Sequence, residues 1–445
     1  MQLKTLKSSF SIIVALMVSS VSARADVHHS ATEEAHEQRF VQIAAKTKEQ
    51  RTEIANAGVS IEFVRSDSVW GFANADALQE VSAKGFQVMG NFDASVARGG
   101  HHGMDFPAKD SKFHNYAEMS AALRSMNSRH ADISTVQSIG KSIEGRDILA
   151  IHINSSEDAL MSGESNKPGL IIMGAHHARE HLSVEIPLMF AKHLLDNREN
   201  PNIANLLDSR DIWIIPMVNP DGAEYDISTG SYKSWRKNRR KNANGTFGVD
   251  LNRNYGFKWG TGGSSKDPSS DVFMGPSPFS EPESTAIRDF VSSHLNAKVL
   301  LSVHTFSELI LYPWGHTYDD VGNTRDHQVF ETMAQTMSKW NGYTPQQASD
   351  LYIASGDTTD WAYGQHGIFG FTFELSPSSM WDGGFYPGQG VIDRVFNANI
   401  QPMLYMLQVA DDPYQVLNTT PSGWLQNYVA PALPASAFWS NQPQF

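Results

Sequence analysis

Five short apolar runs, Ile148–Ile153, Gly169–Met173, Asp211–Val218, Lys298–Val303 and Ile368–Leu375, recur between Asp105 and Asp411, and segments of helical spacing separate them. Runs of that length with little alternation fit strands buried on both faces. Strands alternating with helices in turn require an α/β sheet covered by helices on both sides. The 445 residues include no cysteine, so the chain can build neither disulfides nor thiolate metal sites. Stability must come from a large core, which the length permits, or from bound ions, and any metal must be held by His, Asp or Glu.

The two ends read differently. Residues 1–25 have the form of a signal peptide: Lys4 and Lys7 precede the apolar stretch Phe10 to Val21, and Ala23-Arg24-Ala25 offers small residues for cleavage. A membrane anchor would need about 20 apolar residues, and Ser11, Ser19 and Ser20 interrupt this stretch. Export is therefore expected, with no membrane as partner. The charged segment Glu33–Ala57 has helical spacing, Val59–Val64 alternates, and smaller elements continue to Phe92, together a small α+β unit. Gly99-Gly100-His101-His102-Gly103 then marks a protease-accessible joint, whose histidines read as linker residues rather than ligands. From Pro413 to Phe445 the composition turns to Pro, Asn, Gln and Ser, which predicts a loosely packed or removable extension. The formal net charge of −13 argues against nucleic acid as a partner, because phosphate neutralisation needs clustered Lys and Arg.

In Gly174-Ala175-His176-His177-Ala178-Arg179-Glu180-His181, His177 and Glu180 lie three apart, so one helical turn brings both to the same side. The bare pair is weak evidence, since a helix start carrying His and Glu is commonly a solvated surface, and His176 and His181 compete with it. His304 ends the run Val299–Val303 and suits a third ligand. Two nitrogens and one carboxylate leave a tetrahedral zinc an open position for water, the catalytic arrangement. Glu374 ends another strand-like run, Phe371-Thr372-Phe373-Glu374, where an acid among apolar residues needs a reason. Lys237, Arg239, Arg240 and Lys241 form a charge run that reads as a solvated face.

Seven blocks in chain order carry a resemblance: His177-Ala178-Arg179-Glu180, Asn219-Pro220-Asp221-Gly222, Trp235-Arg236-Lys237, Asp250-Leu251-Asn252-Arg253-Asn254, Ser302-Val303-His304, Leu311-Tyr312-Pro313, and Tyr352 through Glu374. From about Phe106 to about Leu407 the chain resembles the zinc metallocarboxypeptidases of the A, B and T types. Asp357-Thr358-Thr359-Asp360-Trp361 and Asp105-Phe106-Pro107 are most similar to the bacterial T type. The resemblance implies a mixed, mostly parallel central sheet and one zinc held by His177, Glu180 and His304. It implies Glu374 as general base, Arg236 as the guanidinium that stabilises the carbonyl oxygen, and Asn252 with Arg253 as the clamp for a terminal carboxylate. Tyr352 matches a mobile tyrosine that covers the bound terminus, and Arg179 an arginine further along the cleft. It further implies a secreted, monomeric enzyme made as a zymogen: signal peptide 1–25, inhibitory α+β propeptide 26–104 removed by an activating protease, catalytic domain 105–412 and extension 413–445. Peptide and protein C-termini are the implied substrates.

By the same resemblance residues 354 to 360 line the pocket for the departing residue. Thr359 with Asp357 two residues earlier matches the T-type pattern, which accepts apolar and basic termini, and an off-centre carboxylate can partner a cation without filling the pocket. Phe306 stands where many relatives have tyrosine, and Lys233 where they have arginine. Ser111 and Glu118 fit part of a structural calcium site. Two other functions are consistent with parts of the pattern: action on acylated amino acids or cell-wall peptides, against which the Asn252, Arg253 and Tyr352–Asp360 segments count, and a binding module without catalysis, against which the complete ligand set and Glu374 count.

Overall fold

The computed structural model describes residues 38–93 and 105–430; the expected signal peptide, the glycine-rich joint with His101 and His102, and residues 431–445 lie outside them. The first described stretch forms a four-stranded antiparallel sheet from β1 (Arg39–Ala44), β2 (Ser60–Val64), β3 (Ser68–Ala73) and β4 (Val88–Asp93), in the order β2-β3-β1-β4. Helices Lys48–Asn56 and Ala75–Ala83 cover one face and share a small core with it, including Val41, Ile43, Ile54, Val69 and Val81. The α+β unit expected from sequence is present, with one correction. Of the segment Glu33–Ala57 expected to be helical, the described part is not helical throughout, because Arg39–Ala44 is a strand in the middle of the sheet. The helix begins where Thr47 accepts from the Gln50 backbone N–H and the Gln50 side chain returns the bond, a capping box that outweighs the charge pattern upstream.

The second stretch is built on an eight-stranded sheet of β5 (Ser134–Lys141), β6 (Asp147–Ile153), β7 (Gly169–Gly174), β8 (Asp211–Ile215), β9 (Ala297–Thr305), β10 (Leu309–Tyr312), β11 (Thr344–Gln347) and β12 (Phe369–Leu375). Its order is β11-β10-β12-β9-β7-β8-β6-β5. The four central strands, β12, β9, β7 and β8, are mutually parallel, and antiparallel pairs join them to β10 on one side and β6 on the other. All five apolar runs read from sequence are strands of this sheet, and four of them are its parallel centre. Helices Tyr116–Arg129, Leu182–Asp196, Thr324–Asn341 and Ile392–Val409 pack on one face, Pro282–Ser293 and Thr358–His366 on the other. The sheet is the mixed α/β sheet expected.

The expected loose extension after 412 is corrected for its first half. Val416 and Leu425 are buried in the main core, the Gln401 amide donates to the Leu425 carbonyl, and Tyr428 Oη meets His193 Nε2 at 2.6 Å. Burying one leucine contributes roughly 1.5–3 kcal/mol, enough to hold a short turn whose composition alone reads as disordered. No helix among the described residues is long and apolar enough to cross a membrane.

Candidate active site

Ligand sites of open α/β sheets lie beyond the carboxyl ends of the parallel strands, and here β7, β9 and β12 deliver the chemistry-bearing residues to that edge. After β7 the chain must turn sharply into the helix at Leu182. A Cβ at Gly174 would lie 2.0 Å from the Ser183 carbonyl oxygen, so only glycine allows the approach that folds His177 and Glu180 back over the strand ends. His304 is the penultimate residue of β9, and in the parallel register of β9 with β12 it is paired directly with Glu374. Backbone hydrogen bonding thus sets the second histidine beside the carboxylate.

His177 Nδ1 lies 2.7 Å from Glu180 Oε1, His304 Nδ1 lies 3.0 Å from Glu180 Oε2, and the two Nδ1 atoms are 3.2 Å apart. Among the described residues this is the one group of three or more His, Asp or Glu side chains able to share an ion. The outward nitrogens explain the convergence. His177 Nε2 faces Asp250 Oδ1 at 3.1 Å and His304 Nε2 faces Ser302 Oγ at 3.0 Å. A carboxylate that accepts Nε2–H leaves the Nδ1 lone pair of His177 pointing inward, the usual support of a metal-bound histidine. Two nitrogens about 3.4 Å apart are what a tetrahedral zinc with bonds near 2.1 Å requires, and 3.2 Å matches. Burial alone would raise the Glu180 carboxyl, but His177 and His304 hold it below its ordinary range. His176, the competing candidate, does not join the group: its Nε2 faces Tyr255 Oη at 2.9 Å and Thr358 Oγ1 at 3.1 Å. His181 also turns away, to Asp226.

A cavity of about 90 Å³ adjoins this group, lined by His177, Glu180, Arg236, Asn252, Arg253, Tyr352, Asp357, Thr359 and Glu374. Nine of the eleven residues singled out from sequence therefore share one space. His304 stands beside it through its bonds to Glu180. Arg236 donates through Nε and Nη2 to Asp250 Oδ2, both at 3.0 Å, so one buried aspartate orients both the guanidinium and His177. Asn252 is fixed by accepting from Thr358 N and Oγ1, and Arg253 by donating to the Gly263 and Asn252 carbonyls. Loss of water around Glu374, with Glu180 and Glu62 nearby, pushes its carboxyl well above the ordinary range despite Arg236 and Arg253. Asp357 Oδ1 caps the helix Thr358–His366 by accepting from Thr359 N and Asp360 N.

Arg179 is the exception. It does not line the cavity; it is fully buried, donating to Glu62 at 2.6 Å, Asp271 at 3.0 Å and the Ser234 carbonyl at 3.1 Å, between the rings of Phe72 and Phe385. Glu62 belongs to β2 of the N-terminal unit, which lies across the cleft. Tyr352 Oη donates to the Ile61 carbonyl at 3.2 Å, and Arg51 donates to the Asp350 and Leu351 carbonyls. The charge run after Arg236 is a solvated face only in part: Lys241 is exposed and Arg240 partly so, but Lys237 and Arg239 are not free in solvent. Lys237 is buried and donates to the Pro268 and Ser270 carbonyls, which leaves its ammonium pushed down to about 8 by burial, and Arg239 lies over Tyr225, Trp235 and Phe247. Glu118 Oε2 accepts from Asn115 N in a capping box. Two participants were not singled out from sequence. Asp250 opens the Asp-Leu-Asn-Arg-Asn block, and Glu62 is the single acid in the alternating run Val59–Val64; that position was the available signal.

Comparison with known proteins agrees with this geometry. The sequence profile of the zinc carboxypeptidase family matches residues 119–401. A zinc carboxypeptidase of Saccharothrix mutabilis subsp. capreolus is 35% identical over 403 residues, covering 86% of this chain and 92% of the relative. Carboxypeptidase A5 of Macaca fascicularis is 33% identical over 272 residues, 60% of each chain. The crystal structure of carboxypeptidase A from Helicoverpa armigera superposes with a TM-score of 0.68 at 25% identity, over 84% of this chain and 98% of that one. The chain therefore belongs to the zinc carboxypeptidase family and is a zinc-dependent metallocarboxypeptidase.

Proposed function

We propose that the protein is a secreted, monomeric carboxypeptidase, made as a zymogen, that removes single apolar or basic residues from peptides with a free C-terminal carboxylate. The observation that carries this reading is the sharing of one cavity by Glu374, Arg236, the Asn252–Arg253 pair and the ligands His177 and Glu180. His177, Glu180 and His304 hold the metal, which when bound acidifies water and polarises a carbonyl. Arg253 and Asn252 bind the terminal carboxylate, for which a guanidinium fork offers two parallel hydrogen bonds. Glu374 takes the proton of the attacking water and passes it to the departing amine. Arg236, kept charged by Asp250, faces the charge that gathers on the carbonyl oxygen. Tyr352 closes over the terminus, and Arg179 engages residues further along the peptide. Thr359 and Asp357 form the pocket floor, leaving room for apolar side chains and a carboxylate for Lys or Arg.

Residues 26–104 serve as the propeptide, cut by an activating protease near Gly99–Gly103. Contacts of Glu62, Ile61 and Arg51 with Arg179, Tyr352 and the Asp350–Leu351 loop favour this role, since Ile61 and Glu62 line the cavity itself. The export signal read at residues 1–25 supports secretion. Paired peptides that differ only in a free or amidated C-terminus test the reading: release of the last residue from the free acid alone is expected, and equal release from both would exclude a terminal-carboxylate clamp.

A further inference from the structure

We infer that Asp357 is a proton-operated selector: the terminal-residue pocket takes apolar side chains when this carboxyl is neutral and lysine or arginine when it is ionised, so the residue released changes with pH. This deepens the proposed function and rests on it. The two oxygens of Asp357 are in different situations. Oδ1 accepts from Thr359 N, Thr359 Oγ1 and Asp360 N, at 2.8–2.9 Å. Oδ2 is closed off from solvent and meets no donor of the protein, although Asp357 lines the cavity. Gly315 stands beside it; a Cβ there would lie 3.2 Å from Oδ2, so glycine keeps that side free of a side chain. A carboxyl with one fully bonded oxygen and one unbonded oxygen can carry its proton on the second.

The groups facing it from each packed element set how hard it is to ionise. Asp360, on the same helix, is a second carboxylate; its Oδ1 accepts from Gly315 N, and its Oδ2 accepts from His316 N and meets His316 Nδ1 at 2.7 Å. Arg253, on the turn Leu251–Arg253, is the cation that favours ionisation, but two of its donors are taken by the Gly263 and Asn252 carbonyls. Tyr255, from the chain just after that turn, is held neutral by burial, and Glu374 on β12 lines the same cavity. Loss of water comes first and the neighbouring Asp360 charge second, against the bonds to Oδ1 and the Arg253 charge; together they push the Asp357 carboxyl up to about 7. The sign follows directly. Below that value the pocket floor is a neutral acid; above it, it is an anion whose Oδ2 no donor of the protein engages.

The test uses processed protein and two substrates that differ only in ending with arginine or with citrulline, its neutral near-isostere. The quantity read is the ratio of kcat/KM values from about pH 5.5 to about pH 8.5. kcat/KM reports ionisations of the free enzyme, and those of Glu374 and of metal-bound water affect both substrates alike and cancel. The arginine side chain stays charged throughout. The ratio is expected to rise at least about tenfold across this range, with the steepest change near neutrality. In Asp357→Asn, whose side chain can still cap the helix, the ratio is expected to be flat, with thermal unfolding and zinc content confirming a folded, loaded variant. A flat ratio in the unaltered protein, or the same rise in the variant, overturns the selector. Failure to release either residue in a chelator-sensitive way overturns the carboxypeptidase reading itself, a separate outcome.

Discussion

The cleft is bounded below by the ends of β7, β9 and β12 and above by β2 of the N-terminal unit, and the two boundaries hold their charged groups differently. Below, each group has buried partners in its own domain: Asp250 serves His177 and Arg236, Ser302 serves His304, and the β9–β12 register sets Glu374 beside His304. Above, Glu62 reaches Arg179, a residue that keeps Asp271 and the Ser234 carbonyl if Glu62 departs. An aromatic contact of Phe63 with Phe306 and the docking of Arg51 on Asp350 and Leu351 complete the upper boundary. The difference teaches that the catalytic groups of the floor are positioned by partners within their own domain, while the roof reaches the floor through a few polar and aromatic contacts.

The comparison can be broken at several points. Glu374→Gln should leave zinc bound, by elemental analysis, and lower kcat by about 10²- to 10⁴-fold; near-normal turnover would remove Glu374 from the floor's chemistry. Arg253→Ala should weaken kcat/KM on free-acid peptides by roughly 10²-fold, since losing one partner of a desolvated charge pair costs about 2–5 kcal/mol. An equal loss on amidated peptides would contradict the clamp. Asp250→Asn should weaken zinc binding about 10- to 100-fold in a chelator competition, because an amide no longer enforces the Nδ1 lone pair of His177. On the roof, Glu62→Gln should raise the residual turnover of the full-length chain on a small substrate by roughly 10- to 100-fold, the value of one charged hydrogen bond of about 1.5–3 kcal/mol, and leave the processed enzyme unaffected. Tyr428→Phe, remote from both, should cost only about 1 kcal/mol in thermal unfolding through the lost bond to His193.

Legibility in the sequence follows the same division. The floor consists of strands whose apolar runs announce themselves, so His304 and Glu374 stood out beside such runs, whereas only the family resemblance separated His177 and Glu180 from His176 and His181. Roles that depend on a partner distant in sequence were hidden: Asp250 acts on His177 from 73 residues away and Glu62 on Arg179 from 117. Composition misled where burial overrode it. Lys237 looked solvated, yet two backbone carbonyls receive its ammonium; Leu425 sits in a polar-rich tail, yet it is fully buried. The strand Arg39–Ala44 was obscured by charges on either side, since its apolar residues are paid for by pairing with β3 and β4, which no local pattern records.

The most direct test is mass spectrometry of peptides ending in Leu, Phe, Lys, Arg or Glu, incubated with full-length and with processed protein, with and without a zinc chelator. The account predicts loss of single terminal residues from the apolar and basic peptides by the processed protein only, abolished by the chelator and restored by zinc. Zinc-loaded processed protein that leaves every peptide intact would contradict it.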